Sequence, residues 1–263
     1  MDFSVETFGS QKTRYYESET DSSLQLVFLP GVFDSSIWSH QTNYFSQNFR
    51  TVTYECMESR DYSDQMSLME ELLEQDHIDN AVLVSQGLGN RLARELEYRE
   101  EVVATVMTGA RDHSMGLPRQ LYSLLTKAFK REPKIFKKLF FSSLTEYQVV
   151  KQFLEDVECP EYSEYSSFRN GFRVRKPVKN ALVIHAQSDP FSSLETAREL
   201  KPGVSISVIR GAGTFSFYEK PQEYNKAVLD FLSTLEGFVE RRKVSKTREK
   251  NRSLKEFELK VQK

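Results

Sequence analysis

Short runs of aliphatic and β-branched residues recur along this chain, and each is separated from the next by a stretch with helical spacing. LQLVFLPG at 24–31, FRTVTYE at 49–55, NAVLVSQ at 80–86, VVATVMTGA at 102–110, NALVIHAQSDP at 180–190 and VSISVIRGAG at 204–213 read as strands. Helical patterns fall near Ile37–Phe45, at 66–75, where Met66, Leu68, Met69, Leu72 and Leu73 form one stripe, and at 90–100, 193–200 and 222–235. A strand that is apolar at nearly every position must be covered on both faces, and parallel neighbours need a crossover helix between them. FSVETFG and TRYYESE flank Gly9-Ser10-Gln11 and read as an opening hairpin. The expected architecture is therefore α/β: a mostly parallel eight-stranded sheet with helices on both faces.

Residues 112–172 break the rhythm. LYSLLTKAFKREPKIFKKLF and SSLTEYQVVKQFL are helical and in part basic, with no strand-like run. They read as a helical cap inserted after the sixth strand, leaving 1–111 and 173–239 as the core. KREPKIFKK at 130–138 is expected on a cap helix, as a solvated face or a mouth for anionic ligands, with Phe136, Leu139, Phe140 and Phe141 packing the cap down. From Glu240 to Lys263 there are ten Lys/Arg and four Asp/Glu, a surplus of +6 in a chain of net charge −2. This basic tail reads as a solvated element or as a contact for an anionic surface or partner. The net charge gives no reason to expect nucleic-acid binding.

Two cysteines, Cys56 and Cys159, imply no disulfide framework, and no window has the ~18 apolar residues of a membrane span. The opening MDFSVETFGS has no basic segment leading into an apolar run, so no secretory signal is expected, and a cytoplasmic setting is. The four histidines are scattered without ligand spacing, so neither metal nor cofactor is expected.

Taken in order, these stretches resemble the α/β-hydrolase family from Phe3 to about Leu235. LPG with Val32, Phe33 and Trp38 is similar to the loop after the third strand that supplies an oxyanion-hole amide. LVSQGLGNRLA is similar to the nucleophile elbow, VIHAQSDPFSS to the seventh strand and its acid turn, and VIRGAGTFSFYEKPQEYNKAVLDFL to the eighth strand, histidine loop and last helix. Carried over by residue, the resemblance puts the acid at Asp189. The elbow pentad is Ser85-Gln86-Gly87-Leu88-Gly89, so serine and glycine have changed places and Gly87 stands at the nucleophile position. Thr214 stands at the histidine position. The oxyanion amides fall on Val32 and Leu88, where any residue but proline serves. The loop after the fourth strand, ECMESRDYSDQ, lacks the glycine many relatives carry.

Acyl transfer needs a hydroxyl, a base to take its proton and a carboxylate to orient that base. Glycine has nothing to acylate, and threonine accepts no proton near neutral pH. The reading is a hydrolase-like chain without a working triad, which binds a small apolar molecule or a protein partner. The pocket is expected at the carboxyl ends of the strands, lined by Val32, Phe33, Gly87, Leu88, His113, Ser114, Asp189 and Thr214. The alternative is a serine esterase with a displaced nucleophile, either Ser85 or the Ser114/His113 pair of DHSMG at 112–116. Asp189 without a histidine is expected to be structural, within hydrogen-bond reach of Thr214. His185, in its strand, is expected to be packed, and His40 and His77 to sit at the surface or at helix boundaries.

Overall fold

In a computed structural model of the chain, AVLVSQ is a strand buried at every position, as its lack of a charged face demands. The structure describes residues 4–8, 11–29, 33–56, 62–75, 78–87, 89–109, 132–158, 180–199, 204–235 and 237. Eight strands form one sheet: β1 (Ser4–Phe8), β2 (Gln11–Glu17), β3 (Gln25–Leu29), β4 (Arg50–Cys56), β5 (Ala81–Gln86), β6 (Val102–Thr108), β7 (Asn180–Ala186) and β8 (Val204–Ile209). Their order is β1-β2-β4-β3-β5-β6-β7-β8. β1 and β2 form the expected hairpin, with Phe8 opposite Gln11, and β2 runs antiparallel to β4. Every other pairing is parallel.

Helices cover both faces. A 3-10 turn, Ser35–Trp38, leads into α1 (Ser39–Phe45). Along with helix α8 (221–235), α1 packs on the face that carries Leu26, Phe28, Val82, Val84, Val106, Leu182 and Ile184. On the other face α2 (Tyr62–Gln75) and α3 (Gly89–Leu96) cover Val27, Leu29, Val52 and Leu83, and α6 (Leu194–Glu199) covers Ala181 and Val183. Residues two apart share a face, so each strand feeds both cores. Burying each such side chain contributes about 1.5–3 kcal/mol.

Between β6 and β7 lie α4 (Pro133–Phe140) and α5 (Tyr147–Asp156), and the short helix α7 (Ser216–Glu219) follows β8. Two expected boundaries move inward. The helix expected over 90–100 ends at Leu96, because the buried stripe Leu92, Ala93, Leu96 has no apolar successor and Arg99 N–H turns back to Leu96 O. The basic run 130–138 is entered by α4 only at Pro133, whose ring suits the first helical turn and disfavours helix in the residue before it. Lys130 and Arg131, the remaining parts of 112–172, and 240–263 lie outside the described residues. The order β4-β3-β5 places the reversal of winding between β3 and β5, so the topological switch point of the sheet lies between these strands.

Candidate functional site

The chain leaves the parallel strands at their carboxyl ends through Phe33 after β3, Gly87 after β5, Gly109 after β6, Asp189 after β7 and Thr214 after β8. Val32, Leu88, His113 and Ser114 lie outside the described residues, as does His77. His40 is exposed and sets its ring edge-on to Tyr218 at 4.7 Å.

The turn after β5 is built around Gly87, whose φ of 58° is left-handed, a conformation glycine adopts without the clash of a Cβ. A Cβ placed there meets nothing within 4 Å among the described residues, so the turn has room for a side chain at Gly87, where resemblance implies a nucleophile. Ser85, two residues back, is fully buried in β5. Its hydroxyl donates to Asn90 Oδ1 at 2.7 Å and approaches Val106 O at 3.2 Å. Asn90 Nδ2 in turn donates to Thr108 O at 3.0 Å. This network fastens α3 to β6, and it gives the Ser85 proton to an amide oxygen, which is no base.

Asp189 is buried and accepts from three donors. Thr214 Oγ1 donates to Oδ1 at 2.8 Å, the Phe191 N–H donates to the same oxygen at 3.0 Å, and Ser192 Oγ donates to Oδ2 at 2.7 Å. Thr214 thus occupies with its hydroxyl the bond that an imidazole N–H makes in a working triad. His185, in β7, is on the far side of Ser192, with Nδ1 3.3 Å from Oγ. Acid, hydroxyl and imidazole are all present, but the hydroxyl is in the middle and its proton points at the acid. Burial lowers the pKa of His185, against a smaller opposing pull from Asp189, so the ring is neutral at pH 7. Gly109, at φ 67°, lies against this group: a Cβ there would sit 3.2 Å from Asp189 Oδ2. Ser192 and Gly109 were not singled out from the sequence. The available signal was the spacing of DPFSS, where a serine three residues after an aspartate can close back on it.

Phe33 packs edge-on against Phe215 at 5.4 Å and Phe153 at 5.7 Å. Phe153 of α5 lies 4.5 Å from Phe215, and Phe136 of α4 stacks on both rings at 5.9 Å. Phe140 stacks on Phe191, two residues past Asp189, at 5.3 Å. The rings expected to pack the insertion down do so against Phe215, next to Thr214.

Polar contacts hold the same seam. The Thr214 N–H donates to Phe140 O at 2.8 Å, and a Cβ on Gly213 would lie 2.5 Å from that oxygen, so only glycine fits. Glu219 bridges the two sides: Oε1 accepts from the Gly213 N–H at 2.8 Å, and Oε2 accepts from the Ser142 N–H at 2.9 Å and from the Thr145 hydroxyl. Burial raises its pKa, and these three donors oppose the shift. At the other end of the insertion, Asp34 Oδ1 accepts from Ser36 Oγ at 2.5 Å and from the Glu158 N–H at 3.3 Å. Burial raises the pKa of Asp34 to about 6. Asp34 and Glu219 were also not singled out, because each looks in the sequence like an ordinary surface acid.

A concavity of about 680 Å³ lies at the amino ends of β3 and β5 and is lined by 17–23, Gln25, Arg50, Asp79 and Asn80. It is at the opposite end of these strands from Phe33 and Gly87. No helix among the described residues is long and apolar enough to cross a membrane, and the described residues hold no cluster of three or more potential metal ligands.

Comparison with solved structures finds the same architecture repeatedly. Carboxylesterase CesB from Bacillus subtilis superposes with a TM-score of 0.67 at 18% identity, covering 88% of this chain and 91% of that one. A thermophilic esterase from Thermogutta terrifontis gives 0.72 at 13% identity over 89% and 99% of the two chains. An α/β-hydrolase fold protein from Chitinophaga pinensis gives 0.73 at 13% identity over 88% and 96%. No family model and no curated protein matches the sequence.

Proposed function

We propose, on the premise that this chain has the α/β-hydrolase fold, that it is a binding protein which has set aside Ser-His-Asp hydrolysis. Its occupant is a small apolar molecule or the side chains of a protein partner, held where the inserted helices cap the carboxyl ends of the strands. One observation carries the reading: Thr214 Oγ1 takes Asp189 Oδ1 at 2.8 Å, the place of the imidazole donor. The side chain that should accept the nucleophile's proton is thereby a donor itself, and Gly87 supplies no nucleophile. The Phe33, Phe153 and Phe215 rings at the same end supply the apolar character of the ligand.

A fluorophosphonate probe and a small activated ester test the catalytic half. The folded chain is expected to resist labelling and to turn over no ester; stoichiometric labelling of Ser85 or Ser114 would instead establish an esterase with a displaced nucleophile. Gly87→Ser combined with Thr214→His is expected to restore ester hydrolysis, since Asp189 is held ready and the turn has room. A folded double variant with no activity would show that the frame is no longer that of an active site. For the binding half, Trp38 is the only tryptophan and lies 4.6 Å from the Phe217 ring. Its fluorescence is expected to titrate with medium-chain fatty acids; a flat titration removes the small-molecule occupant.

A further inference from the structure

Helix α4, PKIFKKLF, carries three lysines and no carboxylate. Phe136 and Phe140, four apart, turn one face into the ring cluster. At 3.6 residues per turn the opposite ridge is Lys134 and Lys138, and both are exposed. Ile135 emerges on the same outer side with 45% of its surface in water. Beyond the helix comes Leu144, which at 78% is the most exposed large hydrophobic side chain among the described residues. It overhangs the turn after β8, where its Cδ1 lies 3.3 Å from a Cβ built on Gly211, beside the exposed Arg210. Lys137 donates to Ser143 O at 3.2 Å, which holds a third ammonium next to Leu144. Ile135 thus stands among the lysines of α4, and Leu144 stands next to Lys137 and the turn that carries Arg210.

The geometry points to this outer face of the insertion as a docking surface for an anionic lipid bilayer. Lys134, Lys137, Lys138 and Arg210 meet the headgroups, and Leu144 and Ile135 enter the interfacial layer. Charge complementarity selects the lipid, and the form of the apolar residues favours it over an acidic protein. They are isolated protrusions, which a fluid interface accepts singly, whereas a protein partner requires a continuous buried patch. The acids nearby are Glu132 ahead of α4, Glu146 ahead of α5, Glu155 and Asp156 in α5 and Glu158 just after it, all exposed, so the contact tilts α4 toward the membrane and α5 away from it.

Sedimentation of the full chain with phosphatidylcholine vesicles, with and without roughly 30% phosphatidylserine, tests this. Binding is expected to the anionic vesicles alone. Lys134→Glu/Lys138→Glu leaves the basic segment 240–263 intact and is expected to lower partitioning on the order of thirtyfold or more. Leu144→Ser is expected to lower it several-fold at unchanged charge. All three positions are exposed, and circular dichroism checks that the variants fold. Equal binding to both vesicle types, no binding, or anionic binding that survives the lysine reversals would overturn the inference. So would capture by polyglutamate without vesicle binding, which would make the face an acidic-protein site.

Discussion

At Asp189 two hydroxyls and one amide N–H converge on a single buried carboxylate, so its loss leaves donors with nothing to accept their protons. Asp189→Ala is expected to destabilise the fold by about 2–4 kcal/mol in a denaturant titration. Asp189→Asn keeps Oδ1 as the acceptor for Thr214 and Phe191 and turns the Ser192 bond around, the amide now donating to Oγ, so its cost is expected to be about 1 kcal/mol. An acid with no structural role would show neither effect. Gly87 makes the complementary case. Gly87→Ser meets no steric obstacle among the described residues but places a side chain at φ 58°, and is expected to cost about 1–2 kcal/mol by the same measurement. The position thus accepts a side chain at a modest conformational cost.

The inserted helices are joined to the core by a seam in which polar and aromatic contacts coincide. Glu219 serves three donors with two oxygens, and the glutamine of Glu219→Gln accepts through one oxygen only. Amide exchange at Ser142 or Gly213 is expected to accelerate about tenfold in that variant. Gly213→Ala is harsher, because its Cβ would press on backbone atoms of Phe140, Phe141 and Ser142 at 2.5–2.8 Å and neither side can rotate away. It is expected to cost more than about 2 kcal/mol and to expose the amides from Phe141 to Thr145 to exchange. If exchange at these amides is unchanged in both variants, the insertion is held by its phenylalanines alone.

Over the whole molecule, two buried groups give opposite pH dependences. The folded-state pKa of Asp34 is raised from 3.8 to about 6, so between pH 4 and 6 the folded chain binds more protons than the unfolded one. Stability from this group therefore falls as pH rises through that window and stays reduced above it. Both donors to Asp34 reach Oδ1, so Asp34→Asn keeps both bonds. The variant is expected to gain on the parent as pH rises from 4 to 7, by about 3 kcal/mol at most. A stability difference independent of pH would sink this assignment. His185 works the other way. Its folded pKa lies below 6.5, so its contribution is complete above 6.5 and declines as pH falls through that value.

Local pattern was enough to read the alternation of strands and helices and the buried character of LQLVFLP and AVLVSQ, because each depends on residues close together in the chain; the exchange of serine and glycine around Gly87 is what resemblance to the family implies. The bond between Thr214 and Asp189 was legible only as a possibility, through resemblance, since the partners are 25 residues apart. The roles of Ser192, Gly109, Asp34 and Glu219 were not legible at all. Glu219 reaches Ser142 across 77 residues, and no periodicity or composition reports a contact at that distance. By itself the sequence determined which residues, Gly87 and Thr214, stand where resemblance to the family expects a nucleophile and a histidine. Only the tertiary structure decided what the groups at the site bond to, because burial removes water as the alternative partner and makes every remaining donor and acceptor find another.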